Sequence, residues 1–305
     1  MSDFRVHILG CGSATPTARH TPSCQVVDAH GKLFMIDCGE GAQLEFRHQG
    51  LKFSRLGHIF ISHMHGDHFL GLPGLLSTMA LHEKTGDLTV HIHPEGARLL
   101  QQIMAVLCRE TTYTLHYDII TPGERRTLYE DRSLVVETFP LYHRVACSGF
   151  IFREKQQRRP LRADMLEFHQ VPLVQRRAIA EGADFTTPDG CVIPNAWLTR
   201  DPEPAASYAY CSDTMRRREV AEAVSGVRTL YHEATYDDTQ AFKAAPRGHS
   251  TARDAALVAR DAGASRLVLG HYSKTIKDES ILVAQAAEEF GGEILAADEG
   301  LIFAP

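Results

Sequence analysis

Hydrophobic residues along this chain gather in short clusters, and most clusters run straight into Gly, Asp or His. Residues 5–9 alternate and stop at Gly10-Cys11-Gly12, the pattern of a strand closed by a turn. Val26-Val27 and residues 33–36 predict two strands joined as a hairpin around His30-Gly31, the second ending at Asp37-Cys38-Gly39-Glu40-Gly41. Ile59-Phe60-Ile61 predicts a short buried strand that leads directly into Ser62-His63. Residues 88–93 predict a further strand. Pro94, which suits a first helical turn, opens a helix to about Leu107.

The second half repeats this style. Strands are predicted over residues 134–139 (ending at Pro140), 208–211 (ending at Ser212-Asp213), 229–231 (leading into His232-Glu233-Ala234-Thr235) and 266–269 (ending at Gly270-His271). Ser250 or Thr251 caps a helix to about Ala262, with Asp254 in its first turn. Residues 293–303 close the chain with more strand-like pattern. Strands alternating with helices in both halves predict an α/β fold of two stacked sheets with helices outside.

Residues 153–204 depart from this rhythm, with little periodicity and several prolines. Within 153–177, Arg153, Lys155, Arg158, Arg159, Arg162, Arg176 and Arg177 face Glu154, Asp164 and Glu167, so seven cations less three acids leave +4. The chain as a whole carries −6. The segment reads either as a solvated loop or as a projecting basic arm that contacts phosphates.

Composition narrows the class. At 305 residues, 44% hydrophobic and 23% charged, the chain can bury a full core, which excludes wholesale disorder and collagen-like repeats. No apolar run approaches the roughly 18–20 residues that a membrane-crossing helix needs. The first residues lack a basic stretch followed by an apolar one, so no secretion signal is expected. Seven cysteines without a CxxC pair predict reduced thiols in the cytoplasm. The outlying number is 17 His, about one residue in 18, which directs attention to metal.

The densest signal is His63-Met64-His65-Gly66-Asp67-His68, an HxHxDH run directly after an apolar strand. Imidazole and carboxylate donors together suit Zn²⁺, with Mn²⁺ or Fe as further candidates. Alternation sends His63 and His65 to one side of the turn and Asp67 and His68 to another, an arrangement that serves two ions. Further donors stand at other strand ends: His143, Asp213 and His271.

That ordered set resembles the metallo-β-lactamase superfamily. Within it the chain is similar to the tRNase Z (ribonuclease Z) family in its short form. The additional matches are Leu9-Gly10-Cys11-Gly12-Ser13, Asp37-Cys38-Gly39-Glu40-Gly41, Ser212-Asp213-Thr214, His232-Glu233-Ala234-Thr235 and His249-Ser250-Thr251, spread over nearly the whole chain. The resemblance implies one four-layer αββα sandwich over residues 1–305, with 153–204 inserted as the arm that grips tRNA. It implies that His63, His65 and His143 bind one zinc, that Asp67, His68 and His271 bind a second, and that Asp213 bridges both. It implies a homodimer that hydrolyses a phosphodiester bond of precursor tRNA, removing the 3′ trailer and leaving a 3′-hydroxyl.

Such hydrolysis needs an activated water, charge relief at the phosphate and a proton for the leaving oxygen. Asp67 suits the base, His249 the proton donor, and Glu233 the partner that orients His249. The alternatives are a small-molecule phosphodiesterase or arylsulfatase of the same superfamily, and a zinc-dependent protein that holds tRNA without cutting it.

Overall fold

Val26 and Val27 are adjacent and both fully buried, because they point into different layers. The same holds for Leu33 and Met35 against Phe34 and Ile36, and for Ile59 and Ile61 against Phe60. Successive side chains of a strand face opposite ways, so a strand apolar on both faces lies between two layers. The structure, a computed structural model, describes residues 4–305. It divides into two compact units. The larger runs to Glu130 and takes in Leu134–Arg153 and Ala206–Pro305; the smaller comprises Asp131–Ser133 and Glu154–Ala205.

Two seven-stranded sheets make the larger unit. The first orders Ile302–Phe303, Phe4–Gly10, Cys24–Ala29, Lys32–Ile36, Leu56–Phe60, Asp87–Ile92 and Thr114–Ile119. The second orders Glu293–Ala296, Arg266–Gly270, Thr229–Glu233, Ser207–Cys211, Ala146–Glu154, Leu134–Tyr142 and Arg126–Glu130. One cluster packs between the sheets, with Val6, Phe34 and Phe60 from the first and Phe150, Phe152 and Tyr208 from the second. A second cluster joins the outer face of the first sheet to the helices Leu72–Leu81 and Pro94–Leu107. The four-layer sandwich therefore follows from the strand pattern.

Lys32–Ile36, Leu56–Phe60, Asp87–Ile92 and Thr114–Ile119 pair in parallel, as do Ser207–Cys211, Thr229–Glu233, Arg266–Gly270 and Glu293–Ala296. Parallel neighbours require a crossover, and helices supply it here. Ala252–Ala262 illustrates the local logic. Thr251 and Asp254 form a reciprocal capping box, Gly263 at φ +70° ends the helix, and Ala252, Ala255, Ala256 and Ala259 bury its face. Parallel pairing aligns carboxyl ends along one edge, where ligands of open α/β sheets bind.

Two expectations need adjustment. The 134–139 strand continues through Pro140 to Tyr142, and proline is tolerated there because pairing with Arg126–Glu130 stops at Thr138. Residues 293–303 form two short strands in different sheets, not one element. The hairpin turn at His30-Gly31 is as expected, both residues having positive φ.

The smaller unit is not a bare loop. Helices Ala163–Phe168, Leu173–Ala180 and Asn195–Leu198 and the ribbon Phe185–Thr186/Val192–Ile193 enclose Leu166, Val171, Ile179, Phe185, Ile193 and Leu198. Its charge is also balanced: over residues 154–205, seven Lys and Arg against eight Asp and Glu leave −1. Arg158 and Arg177 share Glu181, while Arg159 pairs Asp201. The +4 of the 153–177 window is thus offset by acids further along.

Candidate functional site

The HxHxDH run leaves the carboxyl end of Leu56–Phe60, and Gly66 begins a single helical turn, Gly66–Phe69, that carries Asp67 and His68. His143 follows Leu134–Tyr142, Asp213 follows Ser207–Cys211, and His271 follows Arg266–Gly270. All seven meet at the sheet edges. Donor atoms of His63, His65, His143 and Asp213 lie within 4.8 Å of one another, and so do those of Asp67, His68 and His271. Asp213 reaches both groups: Oδ2 is 3.5 Å from His63 Nε2, and Oδ1 is 3.1 Å from His271 Nε2. His63 and His68 are fully buried.

The donors fit a pair of divalent ions. His63 Nε2 stands 2.9 Å from His65 Nδ1, His143 Nε2 3.3 Å from the same atom, and His68 Nε2 3.3 Å from His271 Nε2. Facing nitrogens at such spacing, in a dry interior, are arranged for a shared cation. In four of the five histidines the opposite ring nitrogen meets an acceptor: His63 Nδ1–H the Ser62 hydroxyl at 3.0 Å, His68 Nδ1–H Asp37 at 2.7 Å, His143 Nδ1–H the Gly248 carbonyl at 2.7 Å, His271 Nδ1–H Thr235 at 2.9 Å. Protons held outward leave lone pairs inward, as metal-binding imidazoles require. Burial, and after it the neighbouring imidazoles, push His63 well below the ordinary histidine range; burial also lowers His65 and His143. They are therefore neutral, the ligating form. For Asp67, burial acts upward, but His68 and His271 outweigh it and hold its carboxyl far below the usual range.

Asp37 is a residue whose role the sequence did not disclose. Fully buried, it accepts the Ser62 N–H at 2.7 Å, the Ser62 hydroxyl at 2.8 Å, the Tyr210 hydroxyl at 2.7 Å and the His68 ring. A buried carboxylate persists only with such partners. Asp37 and His271 both adopt left-handed backbone, φ +55° and +59°, conformations that non-glycine residues hold mainly where a site demands them. The available signal was the acidic residue directly after a strand, on the same sheet as HxHxDH.

Glu233 and His249 are brought together beside the cage. Glu233 is fully buried, and its Oε1 accepts the His249 Nδ1–H at 3.0 Å and the Thr214 N–H at 2.9 Å. Thr235 accepts from His271 and donates its hydroxyl to the other Glu233 oxygen, linking the pair to the cage. Burial disfavours charge on His249, but the field and hydrogen bond of Glu233 outweigh it and raise its pKa to about 9. Nδ1 being engaged, Nε2 is left for an open cavity of about 700 Å³ lined by Asp67, Asp213, His249 and His271, with Arg144, Arg247 and Lys274 among its cations. Cations around a metal-binding cage suit an anionic substrate.

Comparisons with known proteins place the chain in a family. The family model described as "Anti-Pycsar protein Apyc1" matches residues 4–173. Ribonuclease Z of Bacteroides thetaiotaomicron is 47% identical over 299 residues, 98% of this chain and 94% of the relative. Ribonuclease Z of Porphyromonas gingivalis W83 is 47% identical over 298 residues, 97% of each. Among solved structures, human tRNase Z, short form, superposes with a TM-score of 0.70 at 25% identity, covering 98% of both chains. The metallo-β-lactamase fold protein YhfI of Bacillus subtilis gives 0.69 at 17% identity over 99% of both and supports the fold alone. With an αββα sandwich, a seven-donor cage at its edge and near-full-length relatives at this identity, the chain belongs to the ribonuclease Z family of metallo-β-lactamase fold proteins, and its residues 4–173 also fit the Apyc1 family model.

Proposed function

We propose that this chain is a zinc-dependent endoribonuclease that removes the 3′ trailer from precursor tRNA in the cytoplasm, working as a homodimer. The observation that carries it is the Glu233–His249 pair set against the seven-donor cage, which supplies an acid beside a water-activating centre. His63, His65 and His143 would hold one Zn²⁺ and Asp67, His68 and His271 a second, with Asp213 within reach of both groups; Mn²⁺ or Fe would suit the same donors. Bound there, the ions supply a nucleophile at neutral pH and offset charge on the scissile phosphate.

The residues divide the remaining work. Asp67, fixed by the Ala14 N–H at 2.6 Å, takes the proton of the attacking water. Attack breaks the P–O3′ bond, and His249 Nε2 gives its proton to the departing 3′ oxygen, so the tRNA keeps a 3′-hydroxyl and the trailer keeps the phosphate. Glu233 orients the imidazole and favours its protonated form. Residues 153–204 form the tRNA exosite. Exposed Phe168, Leu173 and Val174 beside Arg176 and Arg177 provide surfaces for bases and phosphates.

A 3′-extended pre-tRNA incubated with metal-replete protein tests this. The expected product ends after the discriminator base with a 3′-hydroxyl; no cleavage, or a 3′-phosphate, refutes it. Ser207 pairs with Arg153 in adjacent strands, so a short glycine linker can replace residues 154–206. That deletion should raise KM for pre-tRNA while sparing bis-p-nitrophenyl phosphate. Equal loss on both substrates would argue that the segment is structural.

A further inference from the structure

A second group of donors lies apart from the cage. Cys11, in the turn after Phe4–Gly10, meets His20 from the following loop and Glu299 from near the end of the chain. Cys11 Sγ is 3.3 Å from His20 Nδ1 and 3.7 Å from Glu299 Oε2, and Nδ1 is 2.9 Å from that oxygen. We propose that Cys11, His20 and Glu299 form a third, mononuclear site for a transition-metal ion of the zinc class, which fastens the loop after the first strand to the chain's closing segment.

Two observations carry this. With Zn–S of about 2.3 Å and Zn–N and Zn–O of about 2.0–2.2 Å, tetrahedral coordination spaces S···N and S···O by about 3.5–3.6 Å and N···O by about 3.4 Å. The three measured separations fall within about half an ångström of these. The surroundings already orient the donors. Glu299 Oε1 accepts the Thr21 N–H at 2.8 Å, turning Oε2 to sulfur and imidazole, while His20 Nε2 faces Glu279 at 3.2 Å, a carboxylate itself held by Arg19. A carboxylate on the remote nitrogen is the usual support of a metal-bound imidazole.

Thiolate excludes Ca²⁺ and Mg²⁺ as occupants and favours zinc. Binding releases the thiol proton and any Nδ1 proton to solvent. In the ion-free group, burial and the neighbouring carboxylates hold the thiol protonated. The ion steadies Ser13 and Ala14, which border the catalytic cavity, and Ala14 in turn donates to Asp67.

Cobalt separates this site from the cage, whose seven donors include no sulfur. Full-length protein is produced in zinc-depleted, cobalt-supplemented medium and its absorption spectrum recorded. The expected result is a thiolate-to-cobalt charge-transfer band in the near ultraviolet that Cys147→Ser retains and Cys11→Ser abolishes, with loss of one ion per chain in the latter. Cys147 is the control because its sulfur lies 3.7 Å from His63 Nδ1, the ring nitrogen turned away from the cage. If Cys11→Ser does not fold, His20→Asn must remove one ion per chain. No such band in the unaltered protein, or a band that survives Cys11→Ser, overturns the proposal, whatever the state of the cage.

Discussion

His249→Asn separates the proton-donor role from a structural one. An asparagine amide can take the position of Nδ1 and keep the 3.0 Å hydrogen bond to Glu233 Oε1. The buried carboxylate then retains its other donors, Thr214 N–H and the Thr235 hydroxyl, but loses the imidazolium charge, so stability should fall by about 2–3 kcal/mol. What disappears is Nε2, the one ring nitrogen turned to the cavity. General acid catalysis contributes about 10²–10⁴-fold, so cleavage of pre-tRNA should slow by that factor, or about 2.7–5.4 kcal/mol in barrier. Bis-p-nitrophenyl phosphate offers an internal control, since its nitrophenolate departs without needing a proton. Single-turnover rates on both substrates, from one preparation checked for folding by thermal melt, decide the matter. RNA cleavage should collapse while the aryl ester loses less than about threefold. A parallel fall on both substrates would refute the assignment and make His249 a support for the cage.

Three other outcomes follow from the geometry. Asp37→Asn removes the charge that orients His68 and should weaken metal affinity by about 10–100-fold, measured by competition with a chromogenic chelator. His58 lies stacked between Phe34, Phe60 and His91, near Tyr129, Lys32 and Asp118; burial, then His91 and Lys32, lower its pKa to about 4. Arg126 pairs Asp118 behind His91. The unfolded chain therefore binds a proton first, stability is complete above about pH 6.5, and up to about 3 kcal/mol is lost as pH falls to about 4. His58→Asn, which can still donate to His91, should flatten that loss in urea titrations; an unchanged slope would contradict the account. Thr251→Ala breaks the capping box of Ala252–Ala262 and should cost about 1 kcal/mol by denaturant melt, with no change in metal content.

The cage was legible because each of its donors follows an apolar strand, and strands buried on both faces announce themselves as unbroken hydrophobic runs. Asp37 escaped because its partners, Ser62, His68 and Tyr210, are 25 to 173 residues away and no local pattern links them. The grouping of Cys11 with Glu299 spans 288 residues and left no trace in spacing. The helices of residues 154–205 are six to eight residues or shorter, too brief for a 3.6-residue period to emerge, so their small core of Leu166, Val171 and Ile179 looked like loop. Proline in the strand ending at Tyr142 misled for a related reason: that pairing with Arg126–Glu130 ends at Thr138 is a tertiary fact.

Each donor group of the cage draws on both layers of the sandwich, His63, His65, Asp67 and His68 from one sheet and His143, Asp213 and His271 from the other. Ions seated there would act as rivets between the layers. A slip of one layer over the other by a single ångström would scatter the donors, and opening either layer would free whatever metal they hold. Metal release during unfolding would then mark the instant at which the two halves part, and refolding would recover catalysis only after they have closed again in register.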